Sequence, residues 1–220
     1  MSKILVFVEG ATEEAFVNQI LSAFFKGRRH SPTPRLTGHP RREGGIREYD
    51  IFKNELRLAM EEDKYQYFST MFDFYGLPES YPGRRGVIGD NPRAKASSVE
   101  NAIKEDLQSD FPEFNVEDRV IPYIQMHEFE ALLFSDPNQT ARAIGANDQA
   151  NNLRRIVEEY QEPEAIDDGE KTAPSKRIKS LIPWYNKPTD GLVAVRRLGL
   201  DRIRENCPHF NDWVTHLESL

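Results

Sequence analysis

Two short, almost entirely apolar runs constrain the fold of this chain more than any other feature. They are Lys3–Val8, KILVFV, and Tyr67–Phe74, YFSTMFDF. Continuous apolar runs of this length are typical of strands that are covered on both faces, as in parallel sheets. Apolar residues at helical spacing follow each run, so that strands alternate with helices. This alternation predicts an α/β fold, a parallel sheet flanked by helices, with a mainly helical C-terminal portion.

Periodicity and the positions of Gly and Pro predict the remaining elements. Helices are expected over four segments, 13–25, 50–61, 98–107 and 127–134. A third strand is expected over 119–126, where Pro122 indicates a sheet edge or a bulge. Loops are expected over 27–48, with a short strand near Pro34–Thr37, and over 76–95. From about Gln149 onward the chain reads as helical, so we divide it into an α/β core, 1–148, and a helical extension packed on it, 149–220.

The composition limits the class of protein. With 38% hydrophobic and 30% charged residues, the chain is expected to fold rather than remain disordered. It contains no apolar stretch of the roughly 20 residues that a membrane helix needs, and no signal-peptide pattern. Cys207 is the single cysteine, which excludes an intrachain disulfide and a cysteine metal cluster. We therefore expect a cytoplasmic protein without membrane contact.

Acidic side chains follow the predicted strands at the points where the strands end. Glu9 ends the first strand and Glu13 lies one helical turn later, Asp73 is near the end of the second, and Glu128 and Glu130 follow the third. In parallel sheets, ligand sites lie beyond the carboxyl ends of the strands. Converging carboxylates repel one another, and a bound divalent cation removes that penalty. The pattern therefore predicts a site for Mg²⁺ or Mn²⁺.

Simpler explanations of the same residues stay open. Glu9 and Glu13 would also complement a helix dipole, and Asp73 would also cap a loop. The stretch 125–136, QMHEFEALLFSD, would also form an amphipathic helix in which His127, Glu128 and Glu130 face solvent. Other chemistries lack their motifs, because the sequence contains no GxxxxGK[ST] loop, no GxSxG elbow and no HExxH helix.

Several stretches resemble a known family. They are Val8-Glu9-Gly10 with Glu13, MFDFYGLPESYPGR at 71–84, QMHEFEALLFSD at 125–136 and KTAPSKRIK at 171–179. The first, followed by Met71–Gly76 at the start of the second, resembles the Toprim fold of topoisomerases, primases and OLD-type nucleases. The last three, taken in order, are similar to a Toprim-like family of formerly unknown function that includes the nuclease subunit of PARIS-type anti-phage systems. The resemblance runs from Lys3 to about Leu198.

This resemblance implies a Mg²⁺-dependent nuclease in anti-phage defence that works beside an ABC/AAA-type ATPase. The implied substrate is nucleic acid, RNA or DNA, and transfer RNA in the PARIS-type case. Glu9 matches the Toprim glutamate, a metal ligand or general acid/base, and Asp73 matches the first acid of an Asp-x-Asp pair. Tyr75 stands where the second aspartate is expected, and we infer from position that Glu128 or Glu130 supplies the missing carboxylate. Toprim nucleases often pair, so a homodimer stays open.

The candidate residues follow from these two arguments. As catalytic residues we predict Glu9, Glu13, Asp73 and Glu128. As metal ligands we predict Glu9, Asp73, Glu128 and Glu130. The formal net charge of −7 gives no bulk attraction to nucleic acid, so phosphate contacts must come from local basic clusters. The best candidates for phosphate contact are Arg84, Arg85, Lys176, Arg177 and Lys179.

A second hypothesis is a non-catalytic Toprim-like binding or sensor module that docks on an ATPase. Tyr75 and the acidic net charge favour it, and the C-terminal helices would form the docking region. A phosphoryl-accepting receiver domain is less consistent with the sequence. Receiver domains have a pair of acidic residues directly after the first strand, and this sequence has the single acid Glu9 there.

Overall fold

A computed structural model of the chain describes residues 2–37, 45–62, 64–87, 91–167, 169 and 171–220. The chain forms two compact units, one ending at Ile124 and the other spanning Gln125–Leu220. This division lies before the boundary expected at 148/149, because the segment Phe129–Ser135 and the helix Pro137–Ala143 pack against C-terminal helices. Parts of the predicted loops, 38–44 and 88–90, are outside the described residues.

The described strands form one sheet. They are β1 (Ser2–Val8), β2 (His30–Leu36), β3 (Tyr67–Asp73), β4 (Val120–Ile121) and β5 (Ile124–Gln125). The strand order is β2-β1-β3-β4, with β5 also paired to β3. The β1–β2, β1–β3 and β3–β4 pairs are all parallel. The predicted α/β fold with a parallel sheet is thereby confirmed.

The central position of β1 follows from its composition. Every side chain from Ile4 to Val8 is at most 1% exposed, so both faces of the strand are covered. Burying one such side chain stabilises the fold by about 1.5–3 kcal/mol. β2 lies at the sheet edge and carries Pro32 and Pro34, which cannot donate to a ladder and are therefore suited to an edge. This strand is longer and begins earlier than the one expected near Pro34–Thr37.

Helices of the first unit surround this sheet. They are α1 (Ala11–Phe16), α2 (Ser22–Phe24), α3 (Tyr49–Glu61), α4 (Pro92–Asp110) and α5 (Val116–Arg119). A π-helical turn, Val17–Leu21, joins α1 to α2 and makes the predicted helix over 13–25 continuous. α4 begins before the predicted residue 98, because the Asn91 side chain caps it by accepting the Arg93 N–H at 2.9 Å.

A polar network joins α3 to α4. Lys53 donates to Asp106 over 2.8 Å and also pairs with Asp110, and the Tyr49 hydroxyl donates to Asp106 over 2.8 Å. Burial alone would raise the pKa of Asp106, but these two hydrogen bonds hold it below its ordinary value. The carboxylate of Asp106 therefore ties the two helices together in its ionised form.

The predicted third strand is interrupted at Pro122. β4 ends at Ile121 and β5 begins at Ile124. Between them, the backbone of Tyr123 bonds to the Thr70 side chain of β3, with N–H to Oγ1 at 2.9 Å and Oγ1 to carbonyl at 2.8 Å. The Thr70 hydroxyl thus replaces ladder bonds that the irregular strand loses, in agreement with the bulge or edge predicted from Pro122.

The second unit is helical. Its α-helices are α6 (Pro137–Ala143), α7 (Ala150–Tyr160), α8 (Pro174–Leu181), α9 (Leu192–Leu198), α10 (Leu200–Asn206) and α11 (Pro208–Ser219). Short 3₁₀ segments lie at Phe129–Ser135, Asn147–Gln149 and Pro163–Ala165, and a π-helical turn at Lys187–Gly191. None of the helices in the described part of the chain combines the length and apolar character that crossing a membrane requires.

Candidate metal centre

Three acidic side chains of the first unit converge where β1 and β3 end. Glu9, Glu13 and Asp73 each offer one carboxylate oxygen, and these three oxygens lie within 4.8 Å of one another. Glu13 is 1% exposed and Asp73 4% exposed, whereas Glu9 is half-buried. We call these three side chains the carboxylate cluster. Its donor set is all oxygen, which is the set that Mg²⁺ and Mn²⁺ prefer in proteins.

Parallel pairing of β1 with β3 brings two of the three residues together. Val8 is in register with Met71, so Glu9 and Asp73 leave the sheet at the same edge. Asp73 is the last residue of β3, and its side chain is buried although it is charged. The convergence expected from the two strand ends is therefore present for Glu9 and Asp73.

Glu13 completes the cluster because a helix starts immediately after β1. Gly10 takes the N-cap position of α1 in an extended conformation, and the first helical turn brings Glu13 back toward Glu9. A Cβ atom at Gly10 would lie 3.1 Å from Oε2 of Glu13, which is tighter than ordinary contact. From the sequence, Glu13 was predicted as a catalytic residue but not as a metal ligand. Its position four residues after Glu9, one helical turn, was the signal that could have identified it as a ligand.

The turn after β3 forms another wall of the cluster. A Cβ atom at Gly76 would lie 3.6 Å from Oε2 of Glu9, so glycine leaves space beside that carboxylate. Arg84 anchors the same turn. Its Nε donates to the Leu77 carbonyl at 3.2 Å, and its guanidinium lies 4.1 Å from the ring centre of Phe74. In this arrangement Arg84 supports the turn that follows Asp73, and its predicted phosphate contact stays a prediction.

The neighbouring Arg85 is differently placed. Its side chain is 77% exposed and pairs with Glu79 at 3.1 Å, and Glu79 is itself 75% exposed. Exposed pairs of this kind contribute little, typically about 0–1 kcal/mol, so the pair is easily exchanged for another anion. Arg85 therefore remains open to the phosphate contact predicted for it.

Glu128 and Glu130 make other contacts within the second unit. Glu128 accepts the Ser175 N–H at 2.8 Å and the Ser175 hydroxyl at 3.1 Å, at the start of α8. Glu130 is 1% exposed and lies 3.3 Å from Nζ of Lys187. Burial raises the pKa of Glu130, with Lys187 opposing the change. The cluster found among the described residues consists of Glu9, Glu13 and Asp73. The catalytic role of Glu128 and the ligand roles of Glu128 and Glu130 therefore stay predictions.

The stretch that contains these two acids is not the predicted α-helix. Phe129–Ser135 is a 3₁₀ helix in which all seven residues are buried. The alternative in which its polar residues face solvent is wrong, because His127 is 6% exposed and Glu130 1% exposed. His127 has a positive φ of 63°, which turns the chain between β5 and this segment.

The basic residues of α8 fall into two groups. Arg177 is held internally, since its Nε donates to the Thr172 carbonyl at 2.7 Å and its guanidinium lies 4.8 Å from the ring centre of Tyr160. Lys176 and Lys179 are exposed. Of the three residues predicted here to contact phosphates, the two lysines therefore present their charges to solvent.

One comparison with known proteins gives a match. A family model described as "Domain of unknown function (DUF4276)" matches residues 8–218. The chain belongs to this family. The part matched by DUF4276 contains Glu9, Glu13 and Asp73 as well as α8, so it includes the carboxylate cluster. No curated protein and no solved structure gives a significant match.

Proposed function

We propose that this protein is a metal-dependent nuclease, a phosphodiesterase that hydrolyses nucleic acid. The observation that carries the proposal is the carboxylate cluster, three acidic oxygens within 4.8 Å at the ends of two parallel strands. Buried acids at such a distance repel when they are all ionised. A divalent cation is the group that would make this arrangement favourable, and the all-oxygen donor set fits Mg²⁺ or Mn²⁺.

The three residues of the cluster would have different roles in metal binding and catalysis, according to their exposure to solvent. Glu13 and Asp73, which are buried, would hold the cation rigidly. Glu9 is half-buried and would both contribute a ligand oxygen and accept the proton of the attacking water. A divalent cation bound there would offset two of the three negative charges of the cluster and polarise a phosphoryl oxygen of the substrate.

The biological setting is proposed from the resemblance to Toprim-like proteins. We propose that the protein acts in the cytoplasm in anti-phage defence, with an ABC/AAA-type ATPase as its partner. RNA, transfer RNA in particular, and DNA are the candidate substrates, and a homodimer is compatible with the proposal.

Cleavage assays test the proposal. Labelled transfer RNA, single-stranded RNA and DNA would be incubated with the protein in Mg²⁺, in Mn²⁺ and in EDTA. We expect metal-dependent cleavage that Glu9→Gln and Asp73→Asn each reduce by at least about 100-fold, the lower end of a general acid–base contribution. Glu14→Gln is the matched control, because Glu14 lies on the same helix next to Glu13 and is not part of the cluster.

A second candidate is the non-catalytic module that docks on an ATPase. The observation that favours it is Tyr75, which is 43% exposed at the position where a second acid would be expected. If Glu9→Gln and Asp73→Asn both cleaved nucleic acid as well as the wild type does, the nuclease proposal would be wrong. Metal binding without cleavage on any of the three substrates, alone and with the co-expressed ATPase, would favour the docking module.

A further inference from the structure

The segment 171–187 differs from the rest of this acidic chain in its charge. It contains five lysine or arginine residues and neither aspartate nor glutamate, although the whole chain has a formal net charge of −7. The segment comprises α8 and the turn that follows it. A local cationic surface on an acidic protein is suited to an anionic partner, because nearby charges act more strongly than distant ones in salt.

Two of these cations have internal roles, and Lys176 and Lys179 face solvent. Arg177 is held by Thr172 and Tyr160, and Lys187 pairs with the buried Glu130. Lys176 and Lys179 are exposed, and neither side chain makes an ion pair or hydrogen bond with any residue that the structure describes. Residues three apart on a helix are neighbours on one face, so Lys176 and Lys179 extend from the same face of α8.

An exposed tryptophan follows α8. Trp184 is 61% exposed and makes no ring or cation–π contact within the described part of the chain. It lies in the turn closed by the hydrogen bond from the Tyr185 N–H to the Ile182 carbonyl, at 3.0 Å. Ile182 and Tyr185, on either side of Pro183 and Trp184, are both buried and pack this turn against the rest of the unit. Trp184 lies five positions after Lys179, which limits the distance between their Cα atoms to about 18 Å.

We propose that Trp184, Lys176 and Lys179 form a binding site for single-stranded nucleic acid, with the indole stacking on an unpaired base and the lysines contacting the adjoining phosphates. This inference rests on the proposed function and names the form of its substrate. Stacking on an aromatic ring requires a free base face, which a single strand offers and the interior of a duplex does not.

The residues around the indole argue against a membrane surface or a protein groove as the partner of this surface. The exposed neighbours of Trp184 are Pro183 and Asn186, and the exposed residues late in α8 are Lys179 and Ser180. A membrane surface or a protein groove would need a contiguous apolar patch, and one exposed ring beside a single proline and polar residues does not form one.

Tryptophan fluorescence provides a direct test. The chain has two tryptophans, and Trp213 is 4% exposed, so quenching by a stacked base reports on Trp184. The full-length protein would be titrated in EDTA with single strands of oligo(dT) and oligo(U) of about 12 nucleotides and with a DNA duplex of equal length. Because EDTA prevents metal-dependent cleavage, failure here is distinguishable from failure of the nuclease proposal.

We expect the single strands to quench the emission and to bind more tightly than the duplex. Trp184→Phe should abolish the quenching, and Trp184→Ala should weaken binding by about 5- to 150-fold. Replacing both Lys176 and Lys179 by alanine should weaken binding to every sequence and lower the salt dependence of log K by about 1.4. Lys26→Ala, an exposed lysine of the first unit, is the control and should change neither.

Three results of the binding comparison would overturn the proposal, in addition to the absence of binding. They are quenching that persists in Trp184→Phe, equal affinity for duplex and single strand, and a loss of affinity in Lys26→Ala as large as in the double variant. Absence of binding to either oligonucleotide would also overturn it, and cleavage in the presence of Mg²⁺ would then show that the substrate is held elsewhere.

Discussion

Removing one charge from the carboxylate cluster should change the stability of the protein in opposite directions with and without a divalent cation. Asp73→Asn keeps the shape of the side chain and removes its charge. The oxygens of Asp73 and Glu13 lie within 4.8 Å, and both residues are buried. At an effective dielectric constant of about 20, two unit charges at this distance repel by about 3.5 kcal/mol. In EDTA we therefore expect Asp73→Asn to be more stable than the wild type, by up to about 3 kcal/mol.

A divalent cation should reverse this order. A ligand that binds only the folded state at 100 times its Kd adds about 2.7 kcal/mol to the free energy of unfolding. The wild type should gain this increment in Mg²⁺ or Mn²⁺, and Asp73→Asn, which has lost a ligand, should gain little. For a chain of this size, each kcal/mol moves Tm by about 2–4 °C, so the crossing is measurable.

Thermal unfolding in EDTA, Mg²⁺ and Mn²⁺ is the assay. Glu14→Gln is the control, because it removes a carboxylate from the same region without altering the cluster. We expect it to respond to the metals as the wild type does. Our reasoning would be refuted if Asp73→Asn were less stable than the wild type in EDTA and gained as much as the wild type from the metals.

Two further predictions concern the first unit. Tyr49→Phe should cost about 1.5–3 kcal/mol in the free energy of unfolding, because it removes the 2.8 Å hydrogen bond to the carboxylate of Asp106. Tyr81→Phe should leave the free energy of unfolding unchanged or raise it, since the buried Tyr81 hydroxyl has no hydrogen-bond partner among the described residues. Urea unfolding of both variants tests this contrast. An equal loss of stability in the two variants would contradict it. The pKa of Asp106 is lowered in the folded state, so its contribution is present above its ordinary pKa of about 3.9 and is lost as the pH falls through the folded value. Asp106→Asn should therefore flatten the acid limb of the stability–pH curve, and an unchanged acid limb would count against the role of this carboxylate.

Local sequence patterns were sufficient where a single element decides the structure. The two predominantly apolar runs became β1 and β3, in which every side chain over 4–8 and 68–73 is buried. The convergence of Glu9 and Asp73 followed from one rule, that parallel strands end at the same edge. Glu13 was within reach of the same reasoning, because a helix that begins at Ala11 returns to Glu9 after one turn.

Contacts between distant residues could not be predicted from local patterns. Glu164 is 2% exposed and accepts the N–H groups of His209 and Phe210, each at 2.9 Å, at the start of α11. Glu128 does the same for Ser175, 47 residues away. An acid that caps a distant helix is indistinguishable in sequence from an acid that binds a metal, and only the fold separates the two.

Glu130, in the 3₁₀ segment Phe129–Ser135, is a second residue whose environment local sequence patterns could not predict. The helical spacing of apolar residues over 127–134 gave no indication that Glu130 would be buried with Lys187 as its partner. Burial of a charged residue depends on a cation supplied by a segment more than 50 residues later in the chain, and no window of the sequence contains both.

Direct measurement of Mn²⁺ binding tests the central claim most closely. Equilibrium dialysis of the wild type, Glu9→Gln, Asp73→Asn and Glu14→Gln against Mn²⁺ would count bound ions without requiring a substrate or a partner. We predict at least one Mn²⁺ bound per chain in the wild type and in Glu14→Gln, with affinity strongly reduced in the other two variants. Equal Mn²⁺ binding by all four proteins, or none by the wild type, would contradict the assignment of Glu9, Glu13 and Asp73 as a metal centre.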